Sequence, residues 1–253
     1  MNTFPDALPV IRIPILRAGI PEPFPPVESA LREPDGLLAA GGDLSPQRLL
    51  DAYRHGIFPW FSEGEPILWW SPEPRMVFAT DKVHISTKLR RWLRQCDWTI
   101  RADRSFVTVM RACAAPRPAQ PSTWITPSML DAYQRLHDSG YAHSVEVHDA
   151  EDRLVGGIYG LAIGRMFFGE SMFSAASNGS KIALIGLCRV LSAWQFPLLD
   201  AQVTSAHLQR MGAFEMNRRA FVAQVATCCS LPGPPLASWR ENWPITTARE
   251  LAS

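Results

Sequence analysis

Most of the usual signatures of catalysis and cofactor binding are missing from these 253 residues. The five cysteines (Cys96, Cys113, Cys188, Cys228 and Cys229) make no C-x-x-C pair, and no histidine stands at ligand spacing from them. A reduced protein with no structural metal is the expectation. There is no H-E-x-x-H, no G-x-S-x-G elbow and no cysteine in a local catalytic signature, which removes the commonest hydrolase and metalloprotease plans. The glycine-rich stretch Asp35–Asp43 lacks the lysine of a phosphate loop. The net charge is only +1, so a nucleic-acid partner would have to be met by a local patch. No run approaches the ~18 apolar residues of a membrane span. Asp6, Arg12 and several prolines interrupt the N-terminus where a signal peptide needs an apolar core. A cytoplasmic protein without a membrane partner is expected.

What the chain does contain is a folded protein's composition, 47% hydrophobic and 19% charged, long enough for two unequal domains. The most informative stretch is Leu154–Val203. Two apolar, glycine-studded runs meet at Gly164-Arg165 and predict a β-hairpin, whose internal glycines signal a bulge or a close approach by a ligand. A helix follows with Leu184, Leu187, Cys188 and Leu191 at i, i+3, i+4, i+7. After Pro197, the run Leu198–Val203 predicts a buried strand with Asp200 and Gln202 on one face, because side chains alternate with period two. Glu170 and Asp200 thus stand in otherwise apolar strands. Buried carboxylates are costly unless paired or used, so chemistry is expected there.

The first 75 residues differ from the rest. Prolines crowd Pro5–Pro34 and predict an extended, loop-like run. Ser45-Pro46 starts a helix that carries Leu49, Leu50 and Tyr53 inward and stops at Gly56. Tryptophans then gather between prolines: Trp60, Trp69 and Trp70. They suit a small core under loops or a stacking platform for a base. From Val77 onward strands and helices alternate. The helix Ser86–Gln95 directs Leu89, Trp92 and Leu93 inward, and its Lys88, Arg90, Arg91 and Arg94 form an acid-free basic cluster, the best phosphate-binding candidate in the chain. A second helix after Thr126-Pro127 buries Met129, Tyr133 and Leu136. Val145 and Val147 alternate with Ser144, Glu146 and His148 as a half-exposed strand. The tail from Leu231 is proline-rich and is expected to wrap the surface. With no acid–base signature in sight, carboxylates, a carboxamide and tight positioning would have to carry any reaction.

Several segments, in order, closely resemble the leucyl/phenylalanyl-tRNA–protein transferases: Pro34–Leu44, Gly56–Phe61, Leu68–Arg75, Thr123–Thr126, Gly169–Phe173 and Asp200–Gln202. The likeness runs from about Phe24 to the helix after Asn217. It implies transfer of leucine or phenylalanine, with methionine an expected third donor, from aminoacyl-tRNA onto a protein beginning with Arg or Lys, creating a degradation signal. It also implies an α+β fold: a small N-terminal α/β domain, residues 1–75, and an acetyltransferase-like (GNAT) mixed-sheet domain, residues 76–253. No cofactor and no metal are implied. The segment Phe173–Ser177 stands where relatives that use coenzyme A have a glycine-rich pyrophosphate loop, which argues against an acetyl-coenzyme A donor.

By the same resemblance, Trp60 and Trp124 hold the terminal adenosine. Ile158, Phe167, Met172, Leu187 and Leu199 form the donor side-chain pocket, with Gly169 admitting the substrate closely. Asp200 and Gln202 orient or deprotonate the attacking amine beside Glu170. The chain departs from the family pattern at Ser205, where asparagine is expected. Two readings from other classes remain at this point: a coenzyme-A-dependent acyltransferase and a non-catalytic RNA-binding protein. The second leaves Glu170 and Asp200 without a purpose.

Overall fold

The computed structural model describes residues 12–116, 123–234 and 238–252. The beginning of the proline-rich run, residues 1–11, lies outside them. A first sheet is built from β1 (Ile15–Leu16), β2 (Leu37–Gly41), β3 (Phe58–Pro59) and β4 (Leu68–Trp70), in the order β1-β2-β4-β3. Between β2 and β3 stands α1 (Pro46–Arg54), which begins as its sequence dictates. Ser45 accepts the Arg48 N–H as N-cap, Pro46 takes the first helical position, and Gly56 at φ +72° turns the chain away.

The second sheet has seven strands. Along the chain come β5 (Arg75–Ala79), α2 (Thr87–Leu93), β6 (Thr99–Ala102), α3 (Phe106–Ala114), α4 (Pro127–Asp138), β7 (Ala142–His148) and β8 (Leu154–Ile163). Then follow β9 (Met166–Ser174), α5 (Gly179–Ala193), β10 (Leu198–Gln202), α6 (Ala206–Gln209), β11 (Phe214–Met216), α7 (Arg218–Ser230) and α8 (Ser238–Glu241). The order across the sheet is β11-β5-β10-β9-β8-β7-β6. β9 and β10 run parallel, joined by α5, and the other neighbours are antiparallel. The α+β class with a mixed sheet is therefore the one expected.

Both faces of this sheet are covered. On one, Leu49 and Tyr53 of α1, Trp69, Tyr133 of α4 and Phe221 of α7 pack with Phe168 in a single apolar cluster, which ties the two sheets together. On the other, Leu89 and Leu93 of α2 and Leu184, Leu187 and Leu191 of α5 pack with Phe167, Leu199 and Trp239. Each large side chain so buried stabilises the fold by about 1.5–3 kcal/mol. Glycine permits the tightest approach: a Cβ on Gly156 would stand 2.3 Å from the Gly179 backbone, so the start of α5 rests directly on β8.

Three expectations fail here for physical reasons. β7 is not half-exposed; all seven of its residues are buried, because it is interior to the sheet and covered on both faces. Three of its polar side chains, His143, Ser144 and Glu146, are satisfied internally instead, while the buried Nδ1 of His148 has no hydrogen-bond partner among the described residues. Glu146 accepts from the Arg104 and Ser105 N–H groups (3.3 and 3.2 Å) and from the Ser144 hydroxyl (2.6 Å), while His143 and the Ser144 N–H bond to Asp103. Trp92 is not inward: Leu89 and Leu93, four apart, fill the inner face of the short α2, and Trp92 lies partly in solvent, edge-on to Trp98 at 5.0 Å. Nor does the C-terminal segment only wrap the surface. Trp239 is 1% exposed and stacks on His143 at 4.1 Å.

Candidate active site

The site opens where two parallel strands part. β9 and β10 pair only from Met166–Phe168 against Leu198–Asp200, and beyond that point β9 continues alone against β8. A cavity of about 200 Å³ fills the gap, with Gly169–Met172 on one side and Leu199–Val203 on the other. Ile158, Leu184, Phe78 and Leu208 give it apolar walls, and Phe58, Pro59, Trp60 and Trp124 close it from the side of the first sheet.

Both parting strands carry bulges at this point. Tyr159 pairs with Ser171 and Gly160 with Gly169, so Glu170 is an extra residue in β9. Asp200 pairs with Val77 and Gln202 with Met76, so Ala201 is extra in β10, and Gln202 sits at φ +62°. Bulges re-aim side chains and cluster beside active sites. The simple alternation expected for Asp200 and Gln202 is thus interrupted. Their direct link runs through the main chain, the Gln202 N–H donating to Asp200 Oδ1 at 2.8 Å.

Asp200 is wholly buried, and its partner is Arg75. Arg75 Nε donates to Oδ1 (2.8 Å) and Nη2 to Oδ2 (2.7 Å), with no exposure of either side chain. The same guanidinium donates to the Gly56 carbonyl (3.0 Å) and lies between the rings of Phe58 and Phe221, 4.8 and 4.5 Å from their centroids. The Asp200 carboxylate is therefore spoken for on both oxygens. A substrate amine could reach it only by displacing a charge-assisted pair.

Glu170 has a different setting. Tyr53 donates to Oε1 (2.6 Å), Tyr133 to Oε2 (3.0 Å), and Gln202 Nε2 to Oε1 (2.9 Å), while the two tyrosine hydroxyl oxygens lie side by side. Burial pushes the Glu170 carboxyl up to about 7, opposed by the three hydrogen bonds and assisted by the negative charge of Asp200. It is thus Glu170, not Asp200, that holds the Gln202 carboxamide. Binding its Nε2 leaves Gln202 Oε1 for a substrate N–H. Burial and the Glu170 charge raise Tyr53 and Tyr133 well above the ordinary tyrosine range, so both stay as donors.

Of the residues singled out from sequence, Trp60, Trp124, Ile158, Gly169, Glu170, Met172, Leu199, Asp200 and Gln202 come together around this cavity. Phe167 and Leu187 do not line it; they are fully buried in the layer beneath, with Phe167 against Trp239. A Cβ on Gly169 would meet the Asp200 carbonyl at 3.1 Å, so glycine there relieves crowding between β9 and β10. Trp60 is 44% exposed at the mouth, whereas Trp69 is fully buried and serves the core. The basic residues lie on α2, with Lys88, Arg91 and Arg94 exposed and Arg90 half-buried, donating to the Ala252 carbonyl at 3.3 Å.

Sequence reasoning missed Arg75, Tyr53 and Tyr133 as site residues. The signal was present. Two buried carboxylates demand donors, and tyrosines on the inner faces of two helices, with an arginine opening an apolar strand, could have supplied them. Among the described residues, no group of three or more His, Cys, Asp or Glu could hold a metal ion, and no helix is long and apolar enough to cross a membrane.

Comparison with known proteins adds an independent line. The family model "Leucyl/phenylalanyl-tRNA protein transferase" matches residues 77–226, and the model of that family's N-terminal domain matches residues 42–73. A leucyl/phenylalanyl-tRNA–protein transferase of Xanthomonas campestris pv. campestris (strain B100) is 62% identical over 231 residues, 91% of this chain and 92% of the relative. One of the same name from Xylella fastidiosa (strain 9a5c) is 55% identical over 230 residues, covering 90% and 94%. Among solved structures, L-PGS from Bacillus licheniformis aligns at 13% identity with TM-score 0.37 over 75% of this chain and 64% of that one. A GCN5-related N-acetyltransferase from Sphaerobacter thermophilus aligns at 16% and 0.36, covering 73% and 58%. Likenesses of that size say nothing about chemistry. The sequence matches decide the matter: this chain belongs to the leucyl/phenylalanyl-tRNA–protein transferase family.

Proposed function

We propose that this chain transfers leucine or phenylalanine, and also methionine, from aminoacyl-tRNA to the N-terminal Arg or Lys of an acceptor protein. Residues 1–75 are the small N-terminal domain and residues 76–253 the catalytic one. The observation that carries the reading is an apolar cavity, sized for one large side chain, that ends against the Glu170–Gln202 pair. The donor side chain lies among Ile158, Met172, Leu184 and Leu199, and the thioether of Met172 adapts to branched and flat side chains alike. Such a pocket rejects smaller side chains by only ~1–3 kcal/mol per missing methylene. Trp60 and Trp124 hold the terminal adenosine, and Lys88, Arg90, Arg91 and Arg94 meet phosphates of the acceptor stem.

The ester of aminoacyl-tRNA is already activated, so no cofactor is called for. The acceptor's α-amine, of ordinary pKa about 7.7–8.0, is positioned by Gln202 Oε1. Its nitrogen attacks the ester carbonyl carbon, and the amine proton passes to Glu170. As the carbon–oxygen bond to the ribose breaks, Glu170 passes that proton to the departing ribose oxygen, and the new peptide bond remains. Asp200, locked to Arg75, acts by holding the Gln202 backbone. The negative charge of the site suits an acceptor that brings two positive charges.

The test is transfer of labelled leucine from leucyl-tRNA to peptides beginning with Arg, Lys or Ala. Label on the first two and little on the third is the expected result. Absence of transfer to any peptide would overturn the reading, and equal transfer to all three would overturn the acceptor assignment.

A further inference from the structure

Two cations and a histidine on elements that line the cavity have no role in the chemistry above. Lys181 lies on α5 one turn before Leu184. Residues three apart share a helix face, and Leu184 lines the cavity, so Lys181 stands on the same face of α5, one turn nearer its start. On α6, Leu208 lines the same cavity and is flanked by His207 and Arg210, again three apart. Lys181 and Arg210 both act electrostatically on His207, whose imidazole burial and these two charges hold below its usual range.

Cations placed together without an acid cost free energy, and several others on this surface are matched, although those of α2 are not. Arg17 meets Glu22, Arg135 meets Asp131, and Arg153 meets Asp149 and Glu151. None of the three side chains near the cavity has an ion pair or hydrogen bond with another described residue. Their placement is also firm. Gly179 is wedged against the Val155 and Gly156 backbone, and the Ser180 N–H is held by Ser174 Oγ at 2.8 Å, so the turn carrying Lys181 is fixed to β8.

We propose that Lys181, His207 and Arg210 form a phosphate subsite at the outer end of the donor cavity, which takes the 5′-phosphate of the tRNA's terminal nucleotide. The inference rests on the donor reading given above. With the amino acid in the cavity and its ester on the terminal ribose, the nearest anion of the donor is that phosphate, one sugar away. The subsite is distinct from α2, whose cations would meet phosphates further along the stem. Its contribution is register: it fixes the ribose so that the ester carbonyl faces Gln202 and Glu170.

The experiment uses two non-hydrolysable probes, leucyl-3′-amino-adenosine and its 5′-phosphate, titrated against the full chain. The parent is expected to bind the phosphorylated probe about tenfold more tightly, with the advantage shrinking as salt is raised. The triple variant Lys181→Gln, His207→Gln, Arg210→Gln should bind the plain probe as the parent does and lose the preference. Neutralising the α2 cations instead should leave the preference intact. Equal affinity of the parent for the two probes, or a preference that survives in the triple variant, would overturn the proposal. Failure of the parent to bind either probe would overturn the donor reading, and this inference with it.

Discussion

Arg75 and Asp200 meet through two parallel hydrogen bonds of 2.8 and 2.7 Å, with neither side chain exposed. Their loss has two separable consequences. Arg75→Leu leaves a buried, unpaired carboxylate and should lower stability by about 3–5 kcal/mol. Joining it with Asp200→Leu removes both charges and should recover most of that loss in urea denaturation. Transfer should stay low in the double variant, because the Gln202 N–H has lost its acceptor. Parental turnover in that variant would show the pair to be structural only.

Glu170 should set the pH profile. With its carboxyl pushed up to about 7, the fraction able to take the amine proton rises through neutrality, and kcat/KM should climb in the same range. Glu170→Gln keeps the hydrogen-bonding shape and should give a much lower, flatter profile. Tyr53→Phe and Tyr133→Phe each remove a donor that favours the charged form, so each should move the inflection upward. An inflection that ignores all three changes would leave Glu170 without this role.

Stability should also respond to pH, with a definite sign. Glu146 and Glu170 both titrate near 7 in the folded chain and near 4.5 without the fold's influence. Between those values the folded state holds protons that the unfolded state has released, so stability falls as pH rises through the window. Glu146→Gln should be less sensitive than the parent when urea midpoints at about pH 5 and about pH 8 are compared. A parent whose midpoint rises over that interval would contradict the assignment.

Trp60 and Trp69 of the first sheet and its loops, and Trp124 before α4, should separate by function. Trp60→Ala should weaken binding of an aminoacyl-adenosine fragment by ~1–3 kcal/mol with little change in melting temperature. Trp69→Ala, in the core, should cost ~3–5 kcal/mol of stability. Trp124→Ala should behave like Trp60→Ala. Unchanged fragment affinity in both loop variants would remove the stacking role.

Neutralising Lys88, Arg90, Arg91 and Arg94 together should weaken tRNA binding and flatten its salt dependence by at most roughly one unit of slope per lost contact. Arg90 should contribute least, since it already bonds to the Ala252 carbonyl. A salt slope equal to the parent's would return α2 to an ordinary solvated surface.

Glu170 and Asp200 were legible in the sequence because a carboxylate inside an apolar run is costly and conspicuous. The hairpin, α5 and the capped helices were legible for the same local reasons. Direction was not legible. Period-two alternation put Asp200 and Gln202 on one face, but Ala201 is a bulge residue and Gln202 adopts a left-handed backbone. That change depends on strand β5, more than a hundred residues earlier in the chain. Partners at such separation, Arg75 for Asp200 and Tyr53 for Glu170, leave no mark on local pattern. β7 misled in the opposite way: its alternating polar residues imitate a half-exposed strand, while Asp103 and the start of α3 satisfy His143, Ser144 and Glu146 inside.

The outer edge of β6 is completed late in synthesis. The Ile100 N–H donates to the Thr246 carbonyl, and the Ala248 N–H donates to the Trp98 carbonyl, so strand and partner lie well over a hundred residues apart. A ribosome must make residue 248 before this edge is covered and Trp239 can settle against His143. Until then the nascent chain offers an unpaired strand edge beside an open apolar hole, a combination that invites pairing with other chains. Removing residues 239–248 should therefore lower the soluble yield, although none of them lines the substrate cavity.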